Sequence, residues 1–439
     1  MSETQKRSRR EFLKVSSAAV TGASLAGVGV ARNAHAAGSD VVKVALIGSG
    51  GRGTGAVAQL MNADDNVQLV AVADAFENRA MGAIANLKKQ YGDRASVPQD
   101  RVFLGLQGYQ DAIESGCDLI VIATPPGFRP VHYAAAVAAG KHIFMEKPCC
   151  VDAPGYRMLM EANKRADEKG LLVGVGLQRR HEPQYMETIQ RIHDGALGEV
   201  QFLRVYWNGG GIWNRSREEG MTEMQYQVHN WYHFCWLSGD NICEQHIHNM
   251  DVGNWVMNDE HPVEANGMGG CTARYLGDLK GTGQIFDHHF VEFTYADGTK
   301  MFSQCRHMKD CFNSVSEAAH GTEGTSDCSG RIEGKNGWRY DGKRVGGHQQ
   351  EQTDLIAALR AGKRYNEGWY GANSSMTAVL GRMANYSGKV VKWDEAVAKG
   401  AQIVPDPDQW TWDAKAPVEK DENGDYPIPM PGVYSPFAG

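Results

Sequence analysis

The strongest constraint on the fold is a glycine turn set between two apolar strands. Val41 to Ile47 (VVKVALI) runs directly into Gly48, Ser49, Gly50, Gly51, Arg52 and Gly53. An alanine-rich helical stretch follows, and a second apolar run, Val67 to Ala73, ends on Asp74. Strand, G-x-G-x-x-G, helix, strand, acid is the order of a dinucleotide-binding βαβ unit. The first glycine permits the tight turn, the second lets the backbone approach a pyrophosphate, and the third lets helix and strand pack closely. Free N–H groups at the helix N-terminus then face the phosphate charge. Asp74 falls about 20 residues past the turn, where an acid bonds a ribose 2′-hydroxyl. A carboxylate there repels a 2′-phosphate, so the pattern selects NAD over NADP. The alternative is a glycine-rich turn without ligand, but strand, helix and acid all agree with the cofactor reading.

The rest of the chain extends this pattern and then departs from it. Apolar strands at 43–47, 67–73, 118–123 and 142–145 alternate with helical segments, which implies a parallel sheet with helices on both faces. A helix from about Pro154 to Lys169 and a strand at 171–176 add another unit. After Gln178, alternating strands such as 199–207 and 289–295, with a hairpin at Ala296-Asp297-Gly298, mark a mixed or antiparallel sheet with one covered face. The fold class expected is α/β, with a Rossmann domain over 37–154 and a second α+β domain with an open sheet over 155–404. Residues 349–387 read as helical with a break at Gly362 to Gly371. The tail, 405–439, carries seven prolines and reads as an extended arm wrapped on a neighbouring subunit.

Charge and cysteines bound the partners. The formal charge is -7, but the first 36 residues are basic, so the remainder is more acidic still. An acidic body argues against nucleic acid or anionic membrane as a partner. Ser8-Arg9-Arg10-Glu11-Phe12-Leu13-Lys14, an uncharged Ala/Gly-rich segment to Val30, and Ala34-His35-Ala36 match a cleaved twin-arginine export signal over 1–36. Periplasmic location and no membrane anchor after cleavage are expected. That route exports folded proteins, so a cofactor loaded in the cytoplasm is carried out with them. Nine cysteines without framework spacing fit folding in a reducing compartment, and Cys149-Cys150 reads as two small buried residues.

Three further pieces carry chemistry. Thr124-Pro125-Pro126 ends the strand at 118–123, with His132 shortly after. Glu146-Lys147-Pro148 ends the strand at 142–145, where a lysine reaches the nicotinamide end and a substrate hydroxyl. In the stretch 243–251, Glu244, His248 and Asp251 fall on one face of a continuous helix. A carboxylate beside an imidazole suits proton abstraction from an alcohol. The alternatives are a satisfied core histidine and a metal site recruiting His233 or His307. His246 and His248 point to opposite sides of such a helix, and no metal is assigned. Trp207, Trp213, Trp231, Tyr232, Phe234 and Trp236, interleaved with Asn208, Asn214, Arg215 and Asn230, suit either a sugar-binding surface or a core helix.

With these residues in place, the chain resembles the Gfo/Idh/MocA oxidoreductases over 41 to about 400. The resemblance rests on GSGGRG at 48–53, ATPP at 123–126 with His132, AGKHIFMEKP at 139–148 and GALGEV at 195–200. EQHIHNMD at 244–251 and DLIAALRAGKRYNE at 354–367 add to it. It implies Lys147 as the catalytic lysine, His248 as general acid/base, and Glu244 where relatives carry Asp. Glu146 is implied at the nicotinamide ribose and Gln178 at the carboxamide. Arg180, Trp231, Tyr232 and Asp251 are candidate substrate residues. A homo-oligomer, dimer or tetramer, formed through the second sheet is implied too.

The activity expected is oxidation of a sugar, polyol or glycoside hydroxyl with tightly bound NAD. Without a free NAD pool outside the cytoplasm, redox-neutral turnover is favoured. An alternative is an NAD-dependent glycosidase or sugar lyase using transient oxidation, although the glycosidases of this family lack the lysine that Lys147 represents. A third reading is a non-catalytic sugar-binding relative.

Overall fold

Near-continuous apolar runs make strands that are buried on both faces, as a parallel sheet covered by helices requires. Six such strands are present: β1 (Val42–Ile47), β2 (Val67–Asp74), β3 (Val102–Leu104), β4 (Leu119–Ile122), β5 (His142–Met145) and β6 (Val173–Val175). They lie in the order β3-β2-β1-β4-β5-β6, every neighbouring pair parallel. The chain is described over residues 40–272 and 279–437 in a computed structural model. The strand order reverses between β1 and β4, which opens a crevice at their carboxyl ends, the ligand position in open α/β sheets.

The helix Ala153–Lys169 connects β5 to β6. Asp152 caps it, accepting from the Gly155 N–H at 2.8 Å, and Gly170 ends it in the left-handed region at φ 66°. The boundary expected at 154 therefore cuts a βαβ unit, and the first sheet runs on to Val175. The reason is topological: the last parallel strand pairs only after its crossover helix has been made.

The second sheet has nine strands: β7 (Val200–Gly209), β8 (Glu264–Gly270), β9 (His288–Thr294), β10 (Lys300–His307), β11 (Ser314–Gly321), β12 (Gly324–Ser326), β13 (Arg331–Gly334), β14 (Trp338–Arg339) and β15 (Val391–Lys392). Their order is β14-β13-β12-β11-β7-β10-β9-β8-β15. The sheet is mixed, since β7 runs parallel to β10 and antiparallel to β11. The helices Ile247–Val256 and Gly368–Ser387 pack on one face of it. The helical region near the C-terminal end of this domain is broken over 361–367, and the helix resumes at Gly368.

Two sequence expectations are corrected here. The helix expected across 244–251 is two pieces, Asn241–Glu244 and Ile247–Val256. His246, fully buried between them, places Nε2 at 2.7 Å from Ser303 Oγ on β10, and Asn249 bonds to Glu317 on β11. Bonds to the sheet override the helical period. The arm beyond residue 405 packs on its own chain. Trp410 is buried against Tyr109, Phe128 and His132, and Tyr426 against Phe234. The expected export signal, 1–36, lies outside the described residues. Among the described residues no helix is long and apolar enough to cross a membrane. Cys149 and Cys150 are buried and unbridged, and burial pushes the Cys149 thiol up to about 12.

Candidate active site

The glycine turn closes on the end of β4. Gly48 has φ 89°, and a Cβ there would meet the Thr124 amide nitrogen at 2.5 Å, while a Cβ on Gly53 would run into the Gly48 carbonyl. Gly50 and Gly51 have nothing within 4 Å of an added Cβ, so they face open space at the start of the helix Gly51–Ala63. That helix has no acidic residue in its first turn and no side-chain cap, so its leading N–H groups remain available to an anion. The turn opens on a cavity of about 300 Å³ whose walls include Gly48, Gly50, Arg52, Asp74, Thr124 and His132. A pyrophosphate fits the donors and the space these residues provide.

Buried hydrogen bonds tie the strand ends together. Arg129, 4% exposed, donates to the carbonyls of Thr124, Glu146 and Pro148 and so joins the 124–126 and 146–148 turns. The His132 ring stacks on Tyr109 at 4.2 Å, with Nδ1 at 3.1 Å from Thr124 Oγ1. Burial, then Arg129, pushes His132 down to about 3, so it stays neutral. Pro125 lines the cavity beside Thr124. Ser49 donates to Asp74 Oδ2 through its N–H at 2.7 Å and its hydroxyl at 2.8 Å.

The reaction end is formed by the 146–148 turn, the first helix and the second domain. Glu146, almost fully buried, pairs with Arg52 Nε at 2.8 Å, and Arg52 also approaches Glu351 at 3.9 Å. Lys147, whose bond to Pro148 is cis, places Nζ at 3.0 Å from Glu244 Oε1 and donates to the Glu244 carbonyl. Glu244 thus holds the lysine, not the imidazole as the helical period implied. His248 is buried, stacks on Trp207 at 5.8 Å, and its Nδ1 has no partner among the described residues. Burial holds its pKa well below the ordinary value, and the charges of Lys147, Arg179, His348 and Arg52 add to this. The buried Gln178 Oε1 is likewise without a partner among the described residues.

The expected substrate residues are placed differently. Arg180 bonds Asp251 through Nε and Nη2 at 2.8–3.1 Å, pairs with Asp259 at 2.7 Å and lies over the Tyr370 ring at 3.9 Å. Arg180 and Asp251 pair with each other and both side chains are buried. Tyr232 is buried behind Trp231, packed against Trp213 and His307. Trp231 lines the cavity onto which the glycine turn opens, together with Trp213 and Arg215. The aromatic segment covers the first domain's cleft because the second domain folds over it. The ring nitrogens proposed for a metal are engaged: His233 Nε2 faces the Trp213 carbonyl at 2.8 Å and His307 Nε2 faces Gln245 Oε1 at 2.7 Å.

Sequence reasoning passed over His348 and Glu351 at the reaction end, and it left Arg179 open as a substrate or structural residue. Arg179 pairs with Glu317 on β11, and His348 Nδ1 lies 3.5 Å from Glu351. Burial raises the Glu351 carboxyl to about 7. His348 and Glu351 share one helix, and only the long-range contacts of Glu351 with Arg52 and of Arg179 with Glu317 bring them to this end.

A dinucleotide cleft at the switch point of a Rossmann sheet, closed by an open mixed-sheet domain, defines the class. Residues 42–177 match the Gfo/Idh/MocA family, described as an oxidoreductase family with an NAD-binding Rossmann fold. An inositol 2-dehydrogenase/D-chiro-inositol 3-dehydrogenase of Lactiplantibacillus plantarum is 26% identical over 226 residues, 50% of this chain and 54% of the relative. The chain thus spans about half the length of the curated relatives it matches. The aldose-aldose oxidoreductase of Caulobacter crescentus, solved with glycerol, shares the fold with a TM-score of 0.62 at 16% identity, covering 80% of this chain and 99% of that one. GenD2 from gentamicin A biosynthesis, solved with NAD, has a TM-score of 0.60 at 19% identity, covering 80% and 96%.

Proposed function

We propose that the protein is an exported oxidoreductase that oxidises a hydroxyl of a sugar, polyol or glycoside with a tightly held nicotinamide dinucleotide. The observation that carries this is the pairing of Lys147 with Glu244 beside a neutral His248 whose Nδ1 is unpartnered among the described residues. When bound, the dinucleotide supplies the hydride acceptor. The chain's own groups handle the proton and the oxygen. Lys147 donates to the substrate oxygen and favours its alkoxide, while Glu244 fixes the ammonium in place. His248 accepts the hydroxyl proton as a neutral imidazole. The cations around it oppose its keeping that proton, so the proton is passed on once the alkoxide has reacted. The polyol dehydrogenases among the relatives support a carbohydrate substrate.

Tight retention is supported by the cover that Trp213, Arg215 and Trp231 place over the cleft and by Trp410 behind its wall. Retention outside the cytoplasm favours redox-neutral turnover, in which a second sugar or the same ring takes the hydride back. The mature protein, assayed without added cofactor against sugars, polyols and aryl glycosides, tests this. Reduced-nicotinamide absorbance that appears and persists identifies an oxidoreductase awaiting its acceptor. Released aglycone without net absorbance identifies a glycosidase with transient oxidation. Neither signal with any compound contradicts the proposal.

A further inference from the structure

The far end of the dinucleotide cavity holds a charge arrangement that the motif order does not reveal. Asp74, Arg79 and Arg215 share its wall. Asp74 is folded back on its own loop: Oδ2 accepts from the Ser49 N–H and hydroxyl, and Oδ1 accepts from the Phe76 N–H at 3.0 Å. Three donors use most of a carboxylate's roughly four acceptor positions. Arg79 enters the wall from the first turn of the helix Glu77–Tyr91. Arg215 enters from the second domain and is firmly built. Its guanidinium lies over Trp213 at 4.0 Å, its Nη1 donates to the His229 carbonyl at 2.6 Å, and its N–H donates to Asn230 Oδ1 at 3.0 Å. Burial, then repulsion from Arg79, lowers the Arg215 guanidinium to about 10, and Asp74 opposes this. Two cations thus face one carboxylate that is already satisfied, and the wall has net positive charge open to an anion.

Resting on the dinucleotide reading above, we propose that Arg79 and Arg215 form a site for a ribose 2′-phosphate, which makes the cleft competent for NADP(H) as well as NAD(H). The residue that decides the 2′ end then comes from the second domain, not from the acid ending β2. Paired guanidinium groups suit phosphate because each offers several charge-assisted donors.

The test measures direct binding to the full-length protein stripped of resident nucleotide. The probes are adenosine 2′,5′-bisphosphate and adenosine 5′-monophosphate. The bisphosphate is expected to bind at least as tightly as the monophosphate. Arg215→Met and Arg79→Met are each expected to lower the bisphosphate-to-monophosphate affinity ratio by about tenfold, and either variant suffices if the other does not fold. Weaker binding of the bisphosphate by the unaltered protein overturns the proposal, as does an unchanged ratio in the folded variants. If the monophosphate and NAD still bind in that case, only this proposal fails. If neither binds, the dinucleotide reading fails with it.

Discussion

In the proposed reaction Lys147 and His248 act on the same oxygen, and their surroundings explain how. Lys147 is held in place by Glu244, whereas His248 is kept neutral by burial and neighbouring cations. Lys147→Ala and His248→Ala should each lower kcat by about 10²- to 10⁴-fold, measured by single-turnover reduction of the nucleotide. The pH dependence follows from the sign of the shift. A base must be deprotonated to act, and the His248 pKa lies well below 6.5. The acid limb of kcat/KM should therefore fall below pH 6.5, and an inflection at or above that value assigned to His248 would count against the arrangement. Gly48→Ala combines a left-handed φ with a clash against Thr124, at an expected stability cost of about 1–3 kcal/mol in urea unfolding.

Two elements carry structural clamps with their own signatures. His181, in the turn Gln178–His181, lies 2.7 Å from Asp354 and 3.0 Å from Glu367, which joins that turn to the last two long helices. Burial lowers its pKa, but the two carboxylates outweigh this and raise it to about 10. Its stabilising contribution is complete below pH 6.5 and is lost as pH rises toward 10. Urea unfolding should show the unaltered protein losing stability between pH 6.5 and 10 more steeply than His181→Gln. Parallel curves would remove the clamp from the account. In the arm, Trp410→Ala empties a site walled by Tyr109, Phe128 and His132 and should cost about 3–5 kcal/mol. The elements that were legible from sequence are those with local causes. β1, the glycine turn and β2 declare themselves through apolar runs and turn chemistry, and Gly170 and Asp152 mark their helix ends. The break at Gln245 and His246 was not legible, because it follows from bonds to Ser303 and Glu317 far along the chain.

At the scale of the molecule, the second domain does two jobs: it brings His248 and Glu244 to Lys147, and it covers the dinucleotide cleft with Trp213, Arg215 and Trp231. The same distance in sequence hid this from motif reading. An aromatic segment at 207–236 reads equally well as a sugar surface, and the packing of one domain on the other puts its Trp213 and Trp231 in the wall of the cleft. The Arg180–Asp251 pair was not legible for the same reason, since their mutual contact spans 71 residues. Because the cleft is built by both domains, bound nucleotide should stabilise the whole unit. Nucleotide at about 1,000 times its Kd is expected to add about 4 kcal/mol, seen as a raised Tm relative to stripped protein. The most direct test of the central claim follows the hydride itself. The loaded protein is given a polyol or aldose carrying deuterium on every carbon, and the oxidation half-reaction is quenched while the nucleotide is still reduced. One deuterium on the recovered reduced nicotinamide is the predicted result, and nucleotide reduced by the labelled sugar without taking up deuterium would contradict it.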